Sequence, residues 1–250
     1  MRGLGTLLNL ATVLAGGLIG LFLGDRIPER MRRTVMQGVG LTTLAVAIVG
    51  FGPLADADEG LKRFIILITS IILGAVVGEL LRLEERLENV GDRLRRRFGV
   101  VEPDPGADAS RGQHSRFVEG FVVASTVFCV GPLTLLGAVE DGLGDPIKLL
   151  AIKSTLDGFV AIGFAAVYGW GALASLITIA IYQGGITLGA VLIDPFLTPE
   201  VLAELGAVGS LLVFGIGLRL LEIKQVAIVN LMPALIFAPA IAGAWESLVG

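Results

Sequence analysis

Eight long stretches of mostly apolar residues follow one another along this 250-residue chain. An α-helix needs about 20 such residues to cross the hydrocarbon core of a bilayer. A membrane β-barrel would instead show short segments of alternating polarity, and continuous apolar runs such as residues 64–77 lack that alternation. The sequence therefore predicts an all-α polytopic membrane protein with eight spans, at residues 4–24, 38–55, 64–83, 117–139, 147–168, 170–192, 206–222 and 226–245.

The composition excludes several other classes of protein. Apolar residues make up 54% of the chain, a further 35 residues are glycine and only 17% are charged, whereas apolar residues and glycine together form roughly 45–50% of a soluble domain. A disordered chain would be less hydrophobic and more charged. One cysteine and one histidine exclude a disulfide framework and a multi-histidine metal site. We expect neither a cofactor nor a metal.

The positive charges are distributed unevenly between the two sides of the predicted membrane. Fourteen of the nineteen Lys and Arg residues lie in or beside the loops after spans 1, 3 and 7, and the loops on the other side are mostly acidic. Cytoplasmic loops of membrane proteins carry an excess of Lys and Arg. We therefore expect these three loops to face the cytoplasm and both termini to lie outside.

Residues 84–116 form the only sizeable segment between spans. Apolar residues recur at helical spacing along it, at positions 83, 87, 90, 94 and 98. This pattern predicts an amphipathic helix near the lipid headgroups. Arg95, Arg96 and Arg97 would contact anionic lipid there, and each would contribute about 1 kcal/mol to membrane binding. Residues 101–116 are typical of a linker. Nucleic-acid binding is not expected, since the charge bias across a membrane already explains the basic run.

An internal repeat relates spans 1–3 to spans 6–8. Residues 16–25 resemble residues 184–194 with one insertion, and the same offset brings Val39-Gly40 onto Val208-Gly209. Five spans separate the copies, so they would cross the membrane in opposite directions, and the loop with four arginines in one copy corresponds to an acidic loop in the other. Inverted repeats around two central helices are typical of secondary transporters. Glycine-rich helices can also resemble one another by composition alone.

This repeat divides the chain into four parts. The first repeat comprises spans 1–3 at residues 1–83, followed by the cytoplasmic amphipathic helix and linker at 84–116. Central spans 4 and 5 occupy residues 117–168, and spans 6–8, the second repeat, occupy 169–250. Glycines at four-residue spacing predict close helix approach; they lie at positions 16, 20 and 24, 74 and 78, and 185 and 189.

Two oppositely charged residues lie inside span 5. Lys153 and Asp157 are four residues apart, so they share one helix face and can pair, with Ser154 beside them. A lone charge near the centre of a spanning helix costs about 2.5–3.5 kcal/mol, so the pair should face protein or a water-filled cavity. The pair is either a solute or coupling-ion site, or a structural ion pair that fixes span 5 in the bundle.

Span 4 contains a candidate helix break at Gly131 and Pro132. Proline lacks a backbone donor and frees the carbonyl four residues earlier, so this stretch could present backbone groups to a solute. Ordinary kinked helices use the same residues. The second repeat adds Gln183 in span 6 and Asn230 in span 8, two amides that suit either solute coordination or hydrogen bonding between helices.

The chain has no recognisable catalytic constellation. Its single histidine, His114, lies in the predicted linker outside the membrane, which leaves no base for a nucleophilic triad. A glycine-rich phosphate loop ending in Lys-Ser or Lys-Thr is also missing, so ATP-driven pumping by this chain alone is not expected. We therefore do not expect an enzyme.

Several short motifs resemble those of one prokaryotic family. They are Phe128-Cys129-Val130-Gly131-Pro132, Asp141-Gly142-Leu143-Gly144-Asp145, Lys153-Ser154-Thr155-Leu156-Asp157-Gly158 and Tyr182-Gln183-Gly184-Gly185, together with Gly3-Leu4-Gly5-Thr6 and Asn9. Over essentially the whole chain, the sequence is similar to the YqgA/YdfK-like uncharacterised integral membrane proteins, domain of unknown function family 554. The resemblance implies a multi-pass protein of the prokaryotic plasma (inner) membrane, and it implies no activity.

These observations predict a secondary transporter or facilitator that moves a small polar or ionic solute by alternating access around a midplane site on spans 4–6. Its substrate-binding residues would be Lys153, Ser154, Asp157, Gln183, Asn230, Gly131 and Pro132. The alternative is a non-transporting membrane scaffold or sensor that signals through the cytoplasmic amphipathic helix. Either protein could form a homo-oligomer.

Overall fold

A computed structural model describes residues 2–24, 26, 28–56, 58–99 and 116–249, and every regular element within these ranges is a helix. The α-helices of this part of the chain are α1 (Leu4–Gly24), α2 (Glu29–Gly50), α3 (Gly60–Leu81), α4 (Leu83–Arg97), α5 (Arg116–Cys129), α6 (Pro132–Leu143), α7 (Lys148–Tyr168), α8 (Trp170–Ile193), α9 (Pro199–Leu220), α10 (Ile228–Leu231) and α11 (Ala234–Val249). His114 and nearly all of the predicted linker lie outside the described residues.

Most of these helices can cross a bilayer. Seven segments of the described chain are long and apolar enough on their own, and α5 with α6 makes an eighth if the bent pair is one span. Apolar side chains on the outside of the bundle, such as Val49 and Leu188, are 80% and 89% exposed, which is typical of a surface that contacts lipid. The predicted all-α polytopic fold is confirmed, and the chain lies in a lipid bilayer.

Two helices begin well before the predicted spans, α2 at Glu29 rather than residue 38 and α9 at Pro199 rather than residue 206. Helix α9 begins at Pro199 because the Thr198 hydroxyl caps it, accepting a hydrogen bond from the Val201 N–H at 3.3 Å, and because proline suits the first helical position, where no N–H is needed. Helix α2 begins at Glu29. Its first turns contain the arginines that low hydropathy assigns to a loop.

Helices α5 and α6 form a bent pair, which we call the broken span. Gly131 has a φ of 132° and a ψ of 151°, a conformation that residues with a Cβ rarely adopt. Helix α6 then begins at Pro132, and the two helix axes are bent by 63°. The break that these two residues predict is therefore present.

The predicted amphipathic helix is α4, which Arg82 separates from α3 by adopting a left-handed conformation with a φ of 49°. Of the five apolar residues in the predicted pattern, three pack against a buried cluster that includes the first half of α5: Leu83, Leu87 and Leu94. Only Val90 and Phe98 remain exposed. Most of the apolar side of this helix therefore contacts protein, and its position near the lipid headgroups stays a prediction.

Helix α1 lies along α7, and the two backbones approach closely at glycines. A Cβ added to Gly16 or Gly20 would collide with the carbonyl oxygens of Gly158 and Ile162 in α7. Helix α2 packs on α9, α3 packs on α11, and α8 packs on both α5 and α6. The broken span and α7 are thus held between α1 and α8.

The predicted close helix approach is confirmed at five of the seven glycines with four-residue spacing. Neighbouring backbone would meet an added Cβ at positions 16, 20, 24, 74 and 78. At Gly185 an added Cβ meets nothing within 4 Å among the described residues, and at Gly189 it meets only the Ile193 side chain, 3.6 Å away. The prediction is wrong at these two positions, where no helix backbone lies opposite.

Candidate functional site

The predicted ion pair forms inside α7. The Lys153 ammonium donates a hydrogen bond to the Asp157 carboxylate one turn along the helix, and the two residues are only 5% and 8% exposed. Lys153 also donates to the carbonyl oxygen of Phe128 in α5, at 2.9 Å. That oxygen is available because Pro132, four residues later, has no N–H to bond it. The broken span and the ion pair therefore meet at one oxygen atom.

A chain of hydrogen-bonded side chains leads away from the ion pair, between α1 and α8. The Asn9 amide lies beside the Asp157 carboxylate and donates to Gln183 Oε1 at 2.9 Å. Gln183 in turn donates to Thr6 Oγ1 at 3.2 Å, and this hydroxyl lies 2.9 Å from that of Thr187. The structure thus joins Gln183 to the predicted ion pair. We call this set the central network: Lys153, Asp157, Asn9, Gln183, Thr6 and Thr187.

A second buried carboxylate, Asp141 in α6, bounds the central network at its far end. Its two oxygens accept hydrogen bonds from the N–H groups of Gly5 and Thr6, each at 2.9 Å, and the residue is 0% exposed. These N–H groups belong to the first turn of α1, where they have no partner within the helix and where the helix dipole favours a negative charge. Sequence reasoning missed this role because the partners lie 136 and 135 residues away.

Two polar atoms near the ion pair have no hydrogen-bond partner among the described residues: Asn9 Oδ1 and Ser154 Oγ. Asn9 is 0% exposed and Ser154 is 1% exposed. A buried polar group without a partner costs about 1–3 kcal/mol. The predicted site residue Ser154 therefore has unused hydrogen-bonding capacity that a polar solute or a water molecule would satisfy.

The structure places Asn230 in a different cluster. Its side-chain amide donates to Glu79 Oε2 and accepts from the Glu84 N–H, each at 2.8 Å. Glu84 also pairs with Arg219 at 2.7 Å, so this cluster joins α3, α4, α9 and α10 at one end of the bundle. Within the described chain, no hydrogen bond connects Asn230 with the central network.

A large cavity opens where the N-termini of α2 and α5 meet the C-termini of α7 and α9. It has a volume of about 740 Å³, and its charged wall residues are Arg32, Arg33, Arg116, Glu119, Arg219 and Glu222. We call it the arginine-rich cavity, and its end of the molecule the arginine-rich end. The sequence shows the concentration of positive charge but not the cavity, because the wall combines residues from several distant helices.

Two of these arginines also cap helices of the site. Arg32 donates to the carbonyl oxygen of Gly24, the last residue of α1, and Arg116 donates to the carbonyl oxygen of Val167 near the end of α7. A cation at a helix C-terminus typically contributes about 0.3–1 kcal/mol. The cavity wall is therefore attached to the two helices that carry most of the central network.

Three aromatic rings separate the arginine-rich cavity from the ion pair, and we call them the aromatic barrier. Tyr168 lines the cavity, its ring centroid lies 6.2 Å from that of Phe164, and Phe164 lies 5.9 Å from Phe128. Phe164 and Phe128 are 0% and 1% exposed. Since neither Lys153 nor Asp157 lines the cavity, the ion pair is closed to it in this conformation.

The central network consists of charged and hydrogen-bonding side chains. It offers one amine, one carboxylate, two amides and two hydroxyls, with the Asp141 carboxylate at its edge. Among the residues that the structure describes, no group of three or more His, Cys, Asp and Glu side chains is arranged to hold a metal ion. These groups have the chemistry to form hydrogen bonds and ion pairs with a polar or charged solute.

Two bacterial proteins are similar to this chain over nearly its whole length. The chain is 32% identical over 245 residues to an Escherichia coli K12 protein named uncharacterized protein YqgA, with 98% of each chain covered. It is 27% identical over 237 residues to a Bacillus subtilis 168 protein named uncharacterized membrane protein YdfK, with 95% of this chain and 94% of that protein covered. No solved structure matches the chain.

The family resemblance found in the sequence is also confirmed. A family model described as protein of unknown function DUF554 matches residues 4–243, and the two relatives align over nearly the full chain. The matched region contains the whole central network and the broken span. This multi-pass membrane protein belongs to the DUF554 family.

Proposed function

We propose that this chain is a secondary transporter or facilitator of a small polar or ionic solute, rather than an enzyme, and that it works by alternating access around Lys153 and Asp157. One observation carries the proposal: the Lys153 ammonium is shared between Asp157 and the Phe128 carbonyl at the break of a broken span. Secondary transporters bind their solutes at such breaks, where unwound carbonyls and charged side chains face one cavity.

The energetics of burial support a functional ion pair. Each charge costs about 2.5–3.5 kcal/mol to place near the centre of a spanning helix, and a buried ion pair is often no more stabilising than well-packed apolar side chains of similar volume. Structural stability alone is therefore a weak reason for Lys153 and Asp157. Ionisable residues at membrane depth commonly mark a solute or ion pathway.

A solute route through the bundle would pass these features in order. It would begin at the arginine-rich cavity, cross the aromatic barrier to Lys153 and Asp157, and follow the central network to Asp141. The barrier closes this route on one side and the hydrogen-bonded network closes it on the other. A solute would pass if the two closures opened in turn.

Helix packing supports the inverted repeat. Helices α2 and α9 correspond in the predicted repeat and pack on each other, as do α3 and α11. Helix α1 packs on the central helix α7, while its counterpart α8 packs on the other central span, α5 with α6. Two copies related by a pseudo-two-fold axis in the membrane plane would make such paired contacts.

We extend the proposal to orientation and location. The arginine-rich end would face the cytoplasm, which puts both termini outside. The membrane would be the plasma (inner) membrane of a prokaryote, in keeping with relatives from two bacteria.

One observation favours the second candidate, a non-transporting scaffold or sensor. Lys153 and Asp157 are almost fully buried and do not line the arginine-rich cavity. In that case the pair would fix α7 in the bundle permanently. The two candidates differ in whether water and solutes ever reach the ion pair.

The single cysteine provides a test without engineering of the site. Cys129 follows Phe128, is 2% exposed and is the only cysteine in the chain. Purified protein in proteoliposomes would be treated with a small charged methanethiosulfonate reagent, and modification of Cys129 would be followed by mass spectrometry. We expect progressive modification, because alternating access exposes the site part of the time.

The matched control carries its thiol in a different buried position, Cys129→Ser with Ala238→Cys. Ala238 in α11 is 0% exposed and belongs to a buried cluster with residues of α3 and α9, away from the proposed route. Equal modification rates at the two positions would favour the scaffold. A thermal-shift screen of anions, cations and amino acids would then identify a solute, whose flux should be lost in folded Lys153→Ala and Asp157→Ala variants. Unchanged flux in both variants would contradict the site.

A further inference from the structure

An apolar groove lies on the outside of the bundle between α2 and α7, next to the arginine-rich cavity. The groove has a volume of about 240 Å³ and is lined by the apolar side chains of Val35, Val39, Phe159 and Ile162, with Arg32 at its edge. Phe159 is 71% exposed, so the groove opens toward the surrounding lipid. The neighbouring helices leave this part of both α2 and α7 uncovered.

The groove and the cavity share a wall. Arg32 and Val167 line both of them, and Arg33 lines the cavity beside Arg32. A basic compartment and an apolar groove that opens to lipid are therefore continuous at one edge of the bundle. The charged residues of the cavity are four arginines and two glutamates. Arg219 pairs with Glu84 outside the cavity, and the three other arginines still outnumber the two glutamates, so the charge of the cavity favours an anion.

The shape of this combined site points to a lipid rather than a water-soluble anion. A soluble anion has no apolar part to occupy the groove. A phospholipid has an anionic headgroup for the cavity and an acyl chain for the groove, and the junction between them would lie beside Arg32. The α7 stretch from Phe159 to Val167 rises about 12 Å at 1.5 Å per residue, enough to accommodate part of one chain. Basic pockets between spanning helices bind anionic headgroups elsewhere.

We propose that an anionic phospholipid binds at the arginine-rich end, with its phosphate beside Arg32 and Arg33 and one acyl chain in the groove between α2 and α7. The site differs from the three arginines at the end of α4, two of which already pair with Asp92. It is also independent of the transport proposal. A lipid held there would link α2 to α7, the helix that carries Lys153 and Asp157.

The test compares two lipids on the same protein. The full chain, purified in a neutral detergent, would be titrated with phosphatidylglycerol or with phosphatidylcholine of the same acyl chains, and the unfolding midpoint would be measured. We expect phosphatidylglycerol to raise the midpoint by a few degrees more than phosphatidylcholine, because a ligand that binds only the folded state stabilises it. Inorganic phosphate at the same concentration should not reproduce the shift.

Substitutions in the groove and the cavity show where the lipid that shifts the unfolding midpoint binds. Arg32→Gln with Arg33→Gln should abolish the difference between the two lipids, and Arg30→Gln, on the same helix but outside both compartments, should keep it. Because each variant is its own reference, loss of the Arg32 contact with Gly24 does not affect the comparison. Gly163→Leu would fill the groove, since an added Cβ lies 3.5 Å from Val35 and Val39, and should also abolish the difference.

Several outcomes would overturn the proposal. Equal shifts of the unfolding midpoint with the two lipids would be one such outcome. A full shift with inorganic phosphate would indicate a site for a free anion instead. The third is a lipid difference that stays undiminished in both the arginine variant and the Gly163→Leu variant. Loss of the difference in the combined variant Arg95→Gln, Arg96→Gln and Arg97→Gln, with the groove variants unaffected, would move the lipid site to α4.

Discussion

The Lys153 ammonium and the Phe128 carbonyl oxygen lie 2.9 Å apart, although the residues are 25 positions apart in the chain and belong to different helices. A third residue makes the contact possible, because Pro132 has no N–H to engage that carbonyl. The helix break therefore supplies a second acceptor to a buried cation that would otherwise have only Asp157. A change that closes the break should weaken the hold on Lys153.

Pro132→Ala should uncouple the break from Lys153. The restored N–H would compete for the Phe128 carbonyl, so Lys153→Ala should cost about 1 kcal/mol less in the Pro132→Ala protein than in the native one. The free energies of unfolding of the four proteins in this cycle check the prediction. Pro146→Ala, at the turn after α6, should show no coupling to Lys153. Additive effects of Pro132→Ala and Lys153→Ala would mean that the carbonyl contact carries no energy.

Removal of one member of the ion pair should cost more stability than replacement of both. Asp157→Ala leaves a buried ammonium without its carboxylate and should destabilise by about 3–5 kcal/mol, whereas Lys153→Met with Asp157→Leu should be close to neutral. Denaturant unfolding measures both. Lys148→Met, at the exposed start of the same helix, is the control and should have little effect. If the double replacement is as unstable as Asp157→Ala, the pair has a structural role that apolar packing cannot substitute.

Asp141→Ala should destabilise the protein by about 1–2 kcal/mol. The change leaves the N–H groups of Gly5 and Thr6 without their acceptor at the start of α1, and an N-cap loss of this kind costs about that much. Glu140→Ala is the matched control, because the Glu140 carboxylate is adjacent in sequence but accepts neither of these hydrogen bonds. Thermal unfolding of the two variants gives the comparison, and equal midpoints would show that the Asp141 cap is dispensable.

Corresponding glycines of the predicted repeat should respond in opposite ways to alanine. In Gly16→Ala the new Cβ would collide with the Gly158 carbonyl of α7, so overpacking should cost about 1–3 kcal/mol. At Gly184 an added Cβ meets nothing within 4 Å in the described part of the chain, and Gly184→Ala should stabilise the helix by up to about 1 kcal/mol. Unfolding midpoints of the two variants distinguish the cases; a stable Gly16→Ala protein would mean that α1 and α7 can separate at little cost.

Phe164→Ala should open the aromatic barrier. Phe164 is completely buried between Tyr168 and Phe128, so its truncation should cost about 3–5 kcal/mol and extend the arginine-rich cavity toward Lys153. Modification of Cys129 by the methanethiosulfonate reagent should become several-fold faster. Phe159 lies on the same helix but faces outward, so Phe159→Ala is the control and should leave the modification rate unchanged. An unchanged rate in Phe164→Ala would remove the barrier from the proposed route.

Much of the candidate site can be predicted from short-range patterns in the chain. Gly131 followed by Pro132 predicts the break and the free carbonyl because both effects depend on one helical turn. Lys153 and Asp157 predict an ion pair because residues four apart share a helix face. The grouping of Asn230 with these residues has no such local basis, and its hydrogen bonds are with Glu79 and Glu84.

The sequence by itself determined the membrane class, the all-helical fold and the broken helix, since each depends on hydropathy or backbone chemistry within about 20 residues. Only the tertiary structure decided that Asp141 caps α1, that Gly16 but not Gly184 meets a backbone, and that the arginines line a cavity. The physical reason is that apolar helices of similar hydropathy can pack in many ways, and small residues and hydrogen bonds between distant helices select one of them.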